Sequence, residues 1–142
     1  MTYDYKLSCT LPASPEAVYD AWLDSARHAA MTGAPAEVGK RVGDAHSAWD
    51  GYITGKILEL VPGRRIVQSW RTTDFADEDP DSTIAIELEP TKTGARLTLS
   101  HSGVPDDQTA YEKGGWRDFY FAPMKAYFSD EKRKARGPRS RS

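Results

Sequence analysis

Between Trp116 and Phe128 the apolar residues recur in steps of three and four. Trp116, Phe119, Tyr120, Met124, Tyr127 and Phe128 fall on one side of a helix, with Arg117, Asp118 and Lys125 on the other. So aromatic a stripe needs an apolar surface to receive it. The segments upstream have a different period. Tyr3, Tyr5, Leu7, Cys9 and Leu11 alternate with Asp4, Lys6, Ser8 and Thr10, as in a half-buried strand. Pro12 ends it. Ser14 then suits an N-cap and Pro15 a first helical turn, and Val18, Tyr19, Trp22 and Leu23 share one helix face. A second short helix is predicted from Asp24 or Ser25 to Met31, stopped by Gly33.

The middle of the chain reads as strands. Residues 34 to 43 are weakly patterned and predict irregular backbone. Residues 45 to 49 predict a strand, and Asp50-Gly51 a two-residue hairpin turn with positive φ at both positions. A strand follows from Tyr52 to Val61, with Gly55 marking a bulge. Pro62-Gly63 turns the chain into a strand from Arg65 to Thr72. The polar run from Asp74 to Asp81 is a loop. Thr83 to Glu89 and Ala95 to Ser102 alternate as a further pair, with Gly103, Val104 and Pro105 leaving the sheet. Asp106 or Asp107 is expected to cap a short helix through Tyr111 to Lys113, before Gly114-Gly115 loosens the backbone. Pro123 removes a helical hydrogen bond to the Phe119 carbonyl and predicts a kink.

An antiparallel sheet with one apolar face needs a helix laid across it. The expected fold is α+β: a curved antiparallel sheet wrapped around a long C-terminal helix, with two short helices after the first strand. Such a sheet leaves a hollow beneath the helix, and hollows of this kind take ligands.

Charge divides the chain. From Glu131 to Ser142 six basic residues stand against one acid, so this segment carries +5 and residues 1 to 130 carry −7 of the net −2. The expected organisation is one domain over residues 1–129 and a basic, disordered tail over 130–142. An acidic domain argues against nucleic-acid binding by the domain itself. The tail is either an electrostatic contact for an anionic surface or a solubilising extension. No run approaches the ~18 apolar residues of a membrane span, and the N-terminus does not read as a secretory signal. With one cysteine, Cys9, no internal disulfide forms, which fits a cytoplasmic location.

The order of motifs resembles the SRPBCC superfamily with its START-like, helix-grip fold. Within it the chain is similar to the family named for the activator of the heat-shock protein 90 ATPase. Residues Ser14 to Trp22, then Trp49 to Gly55, Leu60 to Val67 with Trp70-Arg71, and Gly103-Val104-Pro105 followed by Gly115 to Phe121 carry the likeness. It spans about residues 5 to 128 and corresponds to the C-terminal domain of the eukaryotic activator alone. The resemblance implies a chaperone partner, a stress-response role and a homodimer. The superfamily also hosts lipid carriers, hormone receptors and cyclases, so the fold does not fix the function.

Candidate site residues follow from parity and from the helical stripe. His101 shares parity with Leu97 and Leu99; it either meets a ligand or is a strand-end histidine bonded to backbone or water. Gln68 and Trp70 face inward in one strand register, Arg71 in the other, and a one-residue slip decides. Trp49, Trp116, Tyr120 and Met124, with Ile86 and Leu99 from the sheet, are either a ligand wall or ordinary core. His28, His46 and His101 have no metal-ligand spacing, and the acidic loop lacks the glycine and terminal glutamate of a calcium loop. No phosphate-binding glycine loop, dinucleotide fingerprint or nucleophile elbow is present. Cys9 reads as inert core. These residues point to a non-enzymatic protein without cofactor or metal, binding a hydrophobic or amphipathic small molecule. The alternative is an interaction module that binds heat-shock protein 90 and alters its ATPase.

Overall fold

The computed structural model describes residues 1–135 of the 142. Seven antiparallel strands form one sheet: β1 (Thr2–Leu11), β2 (Glu37–Val38), β3 (Ala45–Ala48), β4 (Ile53–Val61), β5 (Arg65–Thr72), β6 (Ser82–Pro90) and β7 (Ala95–Pro105). Their order across the sheet is β1-β7-β6-β5-β4-β3-β2, so β1 crosses from one end of the chain to pair with β7. Helices α1 (Pro15–Trp22) and α2 (Ser25–Thr32) connect β1 to β2. The terminal helix α3 (Ala122–Ala135) follows a segment, Tyr111–Gly115, that is kinked at the non-helical Gly114, and then a π-helical turn, Arg117–Phe121. The fold is the expected helix-grip α+β arrangement.

The local signals act as predicted in the first third of the chain. The Ser14 hydroxyl accepts from the Ala17 N–H at 3.1 Å, with Pro15 entering the first turn of α1. The Asp24 carboxylate caps α2 through the Arg27 N–H at 3.0 Å, and Gly33 closes it in the left-handed region at φ 82°. The Ser14 cap is worth about 1 kcal/mol.

Beyond this point several local expectations give way to tertiary contacts. β3 ends at Ala48, and the β3–β4 connection is four residues because Trp49 leaves the strand at φ 54°. Asp50 and Gly51 do take positive φ, and the Asp50 N–H is drawn to the Pro35 carbonyl at 3.0 Å. The β4 irregularity lies between Ile57 and Glu59, not at Gly55. Gly55 instead makes room for a close approach, since a Cβ there would stand 1.9 Å from the Ser69 carbonyl oxygen and 2.5 Å from His46 Nε2. Gly103, Val104 and Pro105 stay in β7, where Thr2 pairs with Pro105 and Tyr3 with Val104. No side chain caps the segment that starts at Tyr111.

The terminal helix differs most. The π turn at Arg117–Phe121 adds backbone inside the aromatic stripe, and its phase shifts. Phe119 is left 55% exposed, while Phe121 turns inward beside Trp116, Tyr120, Met124 and Phe128. Pro123 falls in the first turn of α3, directly after the π turn, so the irregularity precedes the proline. The helix also continues to Ala135, into the segment expected to be disordered. Asp130 pairs there with Arg133 and Lys134, three and four residues on, which supports a helical end. The remainder of the basic tail lies outside the described residues.

The core fills the space between the sheet and the helices. Ile66, Ile84, Ile86, Leu97 and Leu99 from the sheet pack with Val18, Trp22, Met31, Met124 and Phe128. No helix among the described residues is long and apolar enough to cross a membrane.

Candidate functional site

Strand β5 settles the register left open by sequence. Ile66, Gln68, Trp70 and Thr72 point inward and are buried, and Arg71 points outward. Arg71 donates to the Asp79 carbonyl at 2.6 Å and the Ala76 carbonyl at 2.7 Å, and pairs with Asp81 at 3.1 Å. It therefore fastens the acidic loop, which in turn places Phe75 against Trp70.

At the end of the sheet where the helical segment begins, Trp70 forms part of a pocket of about 750 Å3. One wall comes from Trp70, Tyr111, Trp116 and Tyr120, and the other from Trp49, Tyr52, Ile53 and Phe119. The size and aromatic lining suit a small organic molecule. Two wider grooves elsewhere, one beside α2 and β3 and one beside α1 and α3, lack this largely aromatic lining.

The first wall is held by two buried polar networks. Trp116 Nε1 donates to Tyr5 OH at 2.9 Å and approaches His101 Nδ1 at 3.2 Å, while Tyr5 OH donates to the same Nδ1 at 2.7 Å. On the other side of the ring, Ser82 Oγ donates to the Trp70 carbonyl at 2.6 Å. That leaves Ser82 Oγ to accept from His101 Nε2 at 2.9 Å. The partners therefore assign a neutral His101 with its proton on Nε2. Burial pushes its pKa down to about 3.

His28 plays the matching role for Tyr120. Its Nδ1–H donates to the Trp22 carbonyl at 2.9 Å, so Nε2 accepts from Tyr120 OH, also at 2.9 Å. Burial again depresses the histidine, to about 4. Tyr111 OH is engaged by Thr72 Oγ1 at 2.7 Å and Gln108 Oε1 at 3.1 Å. The rings themselves meet at tilted and edge-on angles, with Trp70–Trp116 centroids 5.4 Å and Trp116–Tyr120 centroids 5.2 Å apart.

The other wall is looser. Trp49 combines a left-handed backbone with a buried indole N–H that has no acceptor, and its ring meets Phe119 edge-on at 5.3 Å. Bulky residues rarely occupy that backbone region, at a cost of roughly 1–3 kcal/mol.

Of the residues predicted from sequence, Trp49, Trp70, Trp116 and Tyr120 line this pocket. His101 stands behind Trp70 and Trp116, with no exposed surface. Gln68 lies deeper, accepting from Trp22 Nε1 at 2.6 Å with its amide 2.7 Å from His46 Nε2. Ile86, Leu99 and Met124 are packed in the core away from the lining. Sequence reasoning missed Tyr111, Tyr52, Lys113 and Phe119 as lining residues. The break at Gly114, between Tyr111 and Trp116, is what sets Tyr111 against the pocket, and Gly114-Gly115 is its signal in the sequence. Cys9 is half-buried, and burial raises its thiol to about 11, as for an unreactive cysteine. Among the described residues no three His, Cys, Asp or Glu side chains are grouped to hold a metal.

A curved sheet gripping a terminal helix, with an aromatic pocket where the helix starts, defines the class: a helix-grip domain. The family described as "Activator of Hsp90 ATPase homolog 1-like protein" matches residues 12–129, and the chain belongs to it. It is 28% identical over 119 residues to the activator of 90 kDa heat shock protein ATPase homolog 1 of Homo sapiens, covering 84% of this chain and 35% of that protein. The chain thus spans about a third of that relative's length. A crystal structure of an HSP90 activator from Plasmodium falciparum superposes with a TM-score of 0.77 at 23% identity, covering 87% of this chain and 94% of that one. A protein from Chromobacterium violaceum gives a TM-score of 0.71 at 31% identity, covering 89% and 96%.

Proposed function

We propose that this protein binds a hydrophobic or amphipathic small molecule in the pocket between Trp49 and Trp116, without chemical turnover. The observation that carries this reading is the open pocket of about 750 Å3 lined largely by aromatic side chains at the start of the helical segment. His101 and His28 support it indirectly. Both are neutral and fully engaged, so they serve as fixed braces and not as acid–base groups. Native mass spectrometry of protein purified from its own host, compared with the denatured mass, tests it. A discrete added mass is expected. A bare mass, together with no change in melting temperature against a panel of hydrophobic compounds, would sink the idea.

A second reading is favoured by the family itself. The human and Plasmodium relatives carry the name of chaperone activators. On that reading this cytoplasmic protein binds heat-shock protein 90 and alters its ATP turnover, as a monomer or a homodimer. Binding to the chaperone of its own organism at tens of micromolar (about −6 kcal/mol) is expected in a pull-down with purified proteins. Absence of binding at that concentration, with unchanged ATPase rate, refutes it.

A further inference from the structure

We infer that the pocket selects a flat aromatic compound bearing an anionic oxygen group; this rests on the ligand-binding reading above. Most polar groups around the pocket are already engaged and cannot meet a ligand. Tyr111 OH is taken by Thr72 and Gln108, and Tyr120 OH by His28. Trp116 Nε1 is taken by Tyr5, and Tyr52 OH donates to Asp74 at 2.6 Å. These side chains present ring faces and edges, not hydrogen-bonding groups.

Five other lining side chains carry polar groups: Trp49, Trp70, Thr109, Lys113 and Asp118. Asp118, at the rim, is held by Arg117 at 3.0 Å. Lys113 lines the pocket and forms no ion pair among the described residues. Trp49 carries the indole N–H that lacks an acceptor. An ammonium and an indole N–H are both donors and can accept nothing. The Trp70 indole N–H is a further donor and the Thr109 hydroxyl can donate or accept, so donors predominate and Lys113 is the charged one among them. A complementary ligand supplies acceptor oxygen and negative charge, on a planar body that fits between rings.

Two anilinonaphthalene probes with the same ring system separate the possibilities. One, 1-anilinonaphthalene-8-sulfonate, carries an anion; the other, N-phenyl-1-naphthylamine, is neutral. Both are titrated by fluorescence into the full chain at pH 7.5. The sulfonate is expected to bind at least about tenfold more tightly, the margin of one unspent charged contact. Lys113→Met should bring the two affinities together, and Trp49→Phe, which keeps the ring and loses the N–H, should weaken the sulfonate. Lys125→Met, on an exposed part of α3, should leave the tenfold margin in place.

Equal affinities, or tighter binding of the neutral probe, overturn the anion preference and leave the pocket standing as a ligand site. A margin that persists in Lys113→Met also overturns it, since the attraction then comes from elsewhere, such as the basic end of α3. If neither probe binds at about 100 μM, weaker than about −5.5 kcal/mol, the ligand reading itself fails.

Discussion

On one side of the pocket, the polar atoms of Tyr111, Trp116 and Tyr120 each have a partner drawn from a different part of the chain: Thr72, Tyr5 and His28. Facing them, Trp49 sits in a left-handed backbone with an unpaired N–H, and Phe119 is largely exposed. The first wall is continuous with the core, and its geometry is set by buried hydrogen bonds that are expensive to break. The second is a hairpin loop against a π-helical turn, where a backbone strain and an orphan donor are tolerated. Together they describe a braced wall and an adaptable one. Sites that must hold one shape and yet admit a ligand are commonly divided this way, with function on loops carried by a rigid frame.

Acid should break this contrast most strongly. His28 and His101 have folded pKa values of about 4 and about 3, below the ordinary value near 6.5. A histidine depressed on folding takes up its proton more readily in the unfolded chain. Stability is therefore full above pH 6.5 and falls as pH drops toward 4, by about 1.4 kcal/mol per pH unit for each histidine. The two braces together predict a loss of about 5 kcal/mol between pH 6.5 and 4.5. Urea unfolding midpoints across that range measure it, and a flat profile would contradict the neutral, buried assignment.

A substitution in the brace comes next. His101→Phe keeps a ring but leaves the Tyr5 hydroxyl proton without its acceptor, in a buried network, and should cost about 3 kcal/mol in chemical unfolding. It should also flatten the acid profile by one histidine's share, which a packing defect would not do. Tyr120→Phe removes one hydroxyl and leaves His28 Nε2 without a donor, for about 1–2 kcal/mol. On the opposite wall, Trp49→Phe and Phe119→Ser should change stability by no more than about 0.5 kcal/mol. If either matched the His101 variant, the division into braced and adaptable walls would be wrong.

Much of this was legible in the residues and some was not. The strand alternation of β1, β6 and β7, the caps at Ser14 and Asp24, and the motif order that gave the family all follow from local chemistry. Periodicity allows either face of β5 to point inward, and pairing with its neighbours turns Gln68 and Trp70 in. The phase of the terminal helix was misjudged. The 3.6-residue period read from Trp116 fails across Arg117–Phe121, where the backbone takes one wide turn, so Phe119 leaves the apolar stripe and Phe121 joins it. His28 carried no signal at all, because its role depends on Tyr120, 92 residues away.

Alone, then, the sequence determined the elements, their pairing class and the family, because periodicity and capping act over a few residues and leave a direct trace in composition. Tertiary structure decided which aromatics line the pocket, which tautomers the histidines hold and which donors are left over. Those outcomes depend on distances between side chains far apart in the chain. The Tyr5–His101–Ser82 and Trp22–His28–Tyr120 networks exist only once β1 has crossed to β7 and α2 has docked beside the terminal helix.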